Sequence, residues 1–363
     1  MSQDSKNSLS YWLYSLSYVV FIYLFSIFFL KQYILNTCNL SLIGNDWISY
    51  LSTADIISDR DLASAIAVVQ ARFGNVDPGY WISTYLLTKI VGSESYTPLL
   101  NASVVALSFF LAKPLISYFE LLIFTIFATT SFSFVQNIIL LPRQFCSYFI
   151  FELAIYCFLV SDKKKIHLNI FLMLGLAFSF HWSIIFALLL WLVPILKNIF
   201  AKSRLRFRIS SAFLIAFIAL LSYLMIRLNL FFKISTYLVE NTENDLTTGH
   251  LSFFLPFLLI IMIKFFALSN FSTQYRGKLP QTKTMINWGL ISSFSLYIFF
   301  ILSQSLAISR ITLSLYSILI PFVAFAFLGS SPNKRQLILT AYLFLFVTIE
   351  IFRISKFINY ITC

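Results

Sequence analysis

The sequence predicts an all-α polytopic integral membrane protein, and three observations carry that expectation. Charged residues make up 11% of the 363 positions, against roughly 25% in a soluble domain. Apolar residues make up 59%, with 42 Phe, and the mean hydropathy is +0.86. The apolar segments also run uninterrupted. A chain crossing hydrocarbon must pair its own backbone amides, which leaves helices or a closed barrel. Barrel strands alternate in polarity, and these segments do not. No intervening segment is long enough to fold alone, so residues 1–363 read as a single membrane domain.

Basic residues mark the inner side of a membrane. The clusters DKKK (162 to 165), KNIFAKSRLRFR (197 to 208), YRGK with Lys283, and NKR (333 to 335) therefore define the inner loops. About 11 transmembrane or re-entrant helices follow, near 11–30, 97–112, 114–130, 143–160, 166–180, 182–196, 209–226, 252–270, 286–303, 311–328 and 337–352. The first lacks a small-residue cleavage site and reads as a retained signal anchor. The stretch 166–196 lies between two inner clusters but has only 31 residues. Two full crossings need about 40. A short hairpin turning at Phe180-His181-Trp182 fits better and holds His181 in the outer half of the membrane.

Two outer loops result, 31–96 and 227–251. The first holds GNDWISY (44 to 50), the charged patch DIISDRD (55 to 61) and RFGNVDPGYWISTYLLTKIVG (72 to 92). Beyond Pro78, the apolar residues Trp81, Tyr85, Leu86 and Ile90, broken by Lys89, suit a helix lying at the interface. The basic loop 197–208 reads as a topology determinant against anionic lipid. The formal charge of +12 is then a membrane signature and implies no nucleic-acid partner. Cys38, Cys146, Cys157 and Cys363 show no ligand spacing. No P-loop, GxGxxG, HExxH or acidic cage is present, so no cofactor or metal is expected.

Four arginines, Arg72, Arg143, Arg227 and Arg310, fall on the outer side against the orientation rule. Arg143 follows Pro142, a residue suited to the first turn of a helix, and Arg310 precedes ITLSLYSILI. A cation at a helix N-terminus opposes the macrodipole by a few tenths to about 1 kcal/mol, and an anion in front reverses the sign. Helix N-termini bind phosphate, and arginine adds a bidentate fork, so two such helices converging would hold a diphosphate. Otherwise each arginine reaches lipid headgroups or pairs with an outer carboxylate such as Asp77 or Glu350.

Other candidates surround this idea. His181 suits acid–base work or sugar contact, or else core packing, and Trp182, Gln144 and His250 are candidates for positioning sugars. Asp46 could act as a base, hold Arg143, or cap a turn. Asp77 with Pro78 and Gly79 reads as a turn with Trp81 as interface anchor, or as part of a sugar site. Glu152, near mid-span, is protonated, paired within the bundle, or part of a path.

With GND at 44 to 46, DPGY at 77 to 80, LPRQF at 141 to 145 and SFHWSIIFALLLWLVP at 179 to 194, the chain resembles Wzy-type polysaccharide polymerases of the EpsG-like group. In that group the Pro-Gly step often follows Glu, where this chain has Asp77. The resemblance implies a bacterial inner-membrane enzyme joining undecaprenyl-diphosphate-linked oligosaccharide repeat units at the periplasmic face. It also implies a chain-length regulator as a candidate partner. Arg143 and Arg310, with Arg72, would offset charge on the leaving diphosphate, and Asp46 or His181 would serve as base. A polyprenyl-phosphate-dependent glycosyltransferase and an O-antigen ligase share much of this logic. A lipid-linked oligosaccharide flippase is the rival of another class; no internal repeat favours it.

Overall fold

The computed structural model describes residues 3–36, 46–73, 77–130, 141–161, 168–181 and 319–344, with isolated positions 134, 138, 184, 283 and 287. Within these residues every regular element is a helix and there is no strand. In chain order they are α1 (Gln3–Asn36), α2 (Asp46–Ser58), α3 (Leu62–Phe73), α4 (Pro78–Val91), α5 (Tyr96–Ala112), α6 (Tyr118–Thr129), α7 (Pro142–Val160), α8 (Leu168–Phe180) and α9 (Leu319–Gly329). A further helix, α10, covers 332–344.

Helix α1 shows how the chain reverses soluble patterning. Its inward stripe is Tyr11, Ser15, Tyr18, Ile22 and Ser26, while Leu13, Leu16, Val20, Leu24 and Phe28 face outward. Of its inward polar groups, Tyr11, Tyr18 and Ser26 find partners on other helices. Tyr11 Oη donates to the Phe109 carbonyl at 2.8 Å; Tyr14 shares a hydrogen bond with Thr125; and Tyr18 pairs with Thr129 at 2.6 Å. The apolar exterior recurs at Leu107 and Phe110 on α5, Phe119 and Ile126 on α6, and Leu168, Phe171 and Leu172 on α8. Such an exterior suits lipid.

The contacts fix helix directions. Ser26 meets Asn101 while Tyr11 meets Phe109, so α1 and α5 are antiparallel. Tyr14 and Tyr18 climb past Thr125 and Thr129, so α6 runs with α1. Tyr156 reaches the Glu120 carbonyl at 2.8 Å while Phe149 meets Phe124, so α7 runs back against α6. Asn169 donates to the Leu111 carbonyl at 2.8 Å and Ser147 to that of Ala177 at 2.8 Å, so α8 returns. The alternation matches the order expected for 11–30, 97–112, 114–130, 143–160 and 166–180. Helix α7 is the hub: Arg143 and Gln144 apart, all its residues are buried, and α5, α6, α8 and α9 pack around it.

Several expected boundaries move. The third span begins at Tyr118, because Ser117 and Glu120 form a capping box, with Ser117 N–H donating to Glu120 Oε2 at 2.7 Å. The last described helix starts at 332, just before the NKR cluster, whose Arg335 Nη2 donates to the Leu328 carbonyl at 2.8 Å. That bond places a cation at the C-terminal end of α9, as the macrodipole favours. Among the described residues two segments are long and apolar enough to cross a membrane alone, Ser8–Phe28 and Pro142–Val160. The expected spans 209–226 and 252–270 lie outside the described residues, as do 182–196 and 286–303 apart from positions 184 and 287.

The region expected as a loop with one interfacial helix holds three helices. Tyr50, Thr53, Ala54 and Ile57 form the buried stripe of α2, and Ala65 and Val69 that of α3. The patch 55–61 is a helix junction. Asp61 caps α3, accepting from Ser64 N–H at 2.9 Å and from its hydroxyl at 2.7 Å. On α4, Tyr80, Trp81, Thr84 and Thr88 face inward while Ile82, Leu86 and Ile90 face out. Trp81 is therefore a core residue against Tyr50 and Phe73 rather than an interface anchor, with ring centroids 6.0 and 5.0 Å away. Gly92 closes α4 at φ 82, a conformation glycine adopts without Cβ strain.

Candidate functional site

Three helix ends meet at one end of this bundle. Asp77 holds the N-cap position of α4 and Pro78 its first turn. Arg143 follows Pro142 in the first turn of α7. His181 directly follows α8, its N–H donating to the Ala177 carbonyl at 3.2 Å. They lie at the same end as Ser26 and Asn101, opposite the end marked by Asn169 and Leu111.

Arg143 Nη1 donates to Asp77 Oδ2 at 2.7 Å, and His181 Nδ1 lies 3.6 Å from that same oxygen. The carboxylate is 2% exposed and the arginine side chain 12%. An aspartate at an N-cap normally accepts from its own helix's amides, but Asp77 makes no such bond. Its charge is directed to α7 and α8 instead. The anion expected before Arg143 is therefore supplied here by the protein, and two helix N-termini, those of α4 and α7, meet across the pair.

Packing enforces the meeting. A Cβ on Gly79 would collide with the Ser179 hydroxyl and come within 3.0 Å of the Ser179 carbonyl carbon. Only glycine lets α4 lie this close to α8, which sets Asp77 beside His181. Ser147 ties α7 to α8 from beneath, its hydroxyl facing the carbonyls of Ala177 at 2.8 Å and His181 at 3.4 Å. Tyr50 on α2 sits under the guanidinium, 5.3 Å from ring centroid to Cζ. Tyr50 also packs on Tyr80, whose hydroxyl pairs with that of Tyr96 at 3.0 Å. One turn inward of Arg143, Cys146 faces Asn101, which donates to the Ile138 carbonyl at 3.0 Å.

The remaining candidates divide. Arg72 stands in the last turn of α3, exposed, with Nη1 donating to Ser52 at 3.0 Å and Thr53 at 2.8 Å. It braces α3 on α2, the helix that carries Tyr50. Asp46 is the first residue of α2, and Gln144 is half-buried next to Arg143. Glu152 is buried on α7, about two and a half turns from Arg143. Arg310, Trp182 and His250 lie outside the described residues, as do Arg227 and Glu350.

Asp77 was legible both as turn chemistry and as an outer carboxylate for one of the arginines, and the structure gives it to Arg143 across 66 positions. Tyr50, Gly79, Ser147 and Asn101 carry weaker signals, a small or polar residue within an apolar run. Chemically, a buried arginine at a helix N-terminus can hold a phosphoryl group. The adjacent imidazole can hold or pass a proton.

A family model described as EpsG family matches residues 6–362. No curated protein and no solved structure matches the chain.

Proposed function

The chain belongs to the EpsG family, and on that premise we propose that it is a membrane glycosyltransferase that polymerises lipid-linked oligosaccharide repeat units. Its substrates are undecaprenyl-diphosphate-linked oligosaccharides in the bacterial inner membrane. Its site faces the periplasm. The observation that supports this most is Arg143, held at a helix N-terminus beside Asp77 and His181, packed against α2 through Tyr50 and against α4, whose outer row is apolar.

In the reaction, a hydroxyl of the incoming unit attacks the anomeric carbon of the growing chain. The new C–O bond forms as the bond to the lipid diphosphate breaks. Negative charge grows on the departing oxygen, and Arg143 offsets it, with Arg310 as its expected partner. The hydroxyl proton passes to His181, with Asp46 the second candidate base. Because diphosphate is a good leaving group, orientation of the two sugars by Gln144, Trp182 and His250 contributes much of the rate. Arg72 acts through α2, holding the helix that presents Tyr50 to Arg143.

A strain lacking the gene, complemented with wild type, Arg143→Ala or Arg310→Ala, tests the proposal by surface polysaccharide resolved by length. Wild type restores a ladder, and each variant leaves single repeat units at normal protein level. Full ladders from both variants would exclude the diphosphate role. Loss of lipid A capping with an intact ladder would point to a ligase.

A further inference from the structure

Resting on the polymerase reading above, we propose that Asp77 is an internal counter-ion that occupies Arg143 between turnovers and is displaced onto His181 by the substrate diphosphate. Three observations carry this. A single oxygen, Oδ2, is bonded to Arg143 at 2.7 Å and lies 3.6 Å from His181 Nδ1, so the carboxylate already sits between its two partners. The side chain leaves its own helix N-terminus uncapped to be there. Asp77 is buried and Arg143 largely so, and an arginine withdrawn from water without an anion is destabilising.

The chemistry follows from competition. A diphosphate offers more charge and more acceptor oxygens than one carboxylate, so it takes the guanidinium fork. The released carboxylate moves the short distance to the imidazole. There it orients the ring and stabilises the imidazolium that forms when the acceptor hydroxyl gives up its proton. Asp77 is thus a positioning residue that links donor binding to readiness of the base. While it holds Arg143, apparent donor affinity is lowered by the fraction of time Arg143 is occupied.

The test uses the full chain in nanodiscs, with a short-chain polyprenyl diphosphate as binding probe and polymer formation as the activity. Asp77→Asn keeps the shape but removes the competing charge. It is expected to tighten probe binding about tenfold while lowering both kcat and KM for the lipid-linked donor. Arg143→Ala is expected to abolish probe binding. Probe binding unchanged in Arg143→Ala would refute the underlying site. Binding lost in Arg143→Ala yet unchanged or weaker in Asp77→Asn would overturn the counter-ion role alone. Should Asp77→Asn fail to fold, amide hydrogen exchange on wild type decides: the probe should speed exchange at 79–81 and slow it at 143–146. Slowing at both, or no change, overturns the proposal.

Discussion

Asp77 stands at the N-cap of α4 yet gives its carboxylate to Arg143 on α7, 2.7 Å away, so the bond joins α4 to the buried hub of the bundle. A local stabilisation of about 1 kcal/mol is forgone for a contact between distant segments. The stability and the activity of this end of the molecule should therefore depend on the pair as a unit.

Removing one partner should cost more than neutralising both. Asp77→Ala leaves a buried cation and is expected to destabilise by about 3–5 kcal/mol. The double variant Asp77→Ala/Arg143→Ala should lose less than the two single variants together. Thermal melting in detergent, compared across the four members of the cycle, measures the coupling. Strict additivity would mean that the pair is energetically idle.

The Gly79 contact makes a prediction about spacing. Gly79→Ala should lower polymer formation severely, because α4 must lift from α8 and carry Asp77 away from His181. Ser179→Gly in the same chain should restore part of the activity, less about 1 kcal/mol of helix stability for the second glycine. Ladder length and protein level, measured together, separate the spacing effect from misfolding.

The outward rows on α1 and α4 predict lipid contact. Nitroxides at Leu13, Leu24, Leu86 and Ile90 should be accessible to dissolved oxygen and shielded from a water-soluble nickel chelate. A nitroxide at Asp59 should show the reverse. Chelate access at Leu86 and Ile90 equal to that at Asp59 would place α4 in water.

Asp61 supplies a prediction in pH. Its hydrogen bonds from the Ser64 hydroxyl and amide hold its carboxyl below the ordinary value. A pKa depressed by folding means stabilisation that is present above the unfolded value and lost as pH falls through the folded one. Amide exchange in the first turn of α3 should accelerate on acidification through that range in wild type, and be fast and pH-insensitive, after correction for intrinsic exchange, in Asp61→Ala.

The sequence made the helical class, the alternating directions of α1 and α5 through α8, and the prominence of Arg143 readable, because long apolar runs and charge asymmetry are local statistics. It concealed α2 and α3, whose buried stripes span only a few residues, too short for a clear period. It offered Asp77 as a carboxylate partner for the outer arginines, but not His181 as the third member. Their meeting depends on Gly79 lying against Ser179 and on Ser147 bridging α7 and α8, contacts between segments up to a hundred positions apart. No periodicity encodes such contacts. Trp81 misled for a related reason: an aromatic at the start of an amphipathic helix suits an interface as well as a core, and only α2 and α3 packing over it decide.

The central claim is that Arg143 holds the leaving lipid diphosphate. Its most direct measurement is polymerisation of purified undecaprenyl-diphosphate-linked repeat units by the reconstituted chain, counting lipid diphosphate released per linkage formed. Wild type should release one per linkage, and folded Arg143→Ala should run about 10²–10³-fold slower. A folded Arg143→Ala enzyme that polymerises at the wild-type rate would contradict the claim.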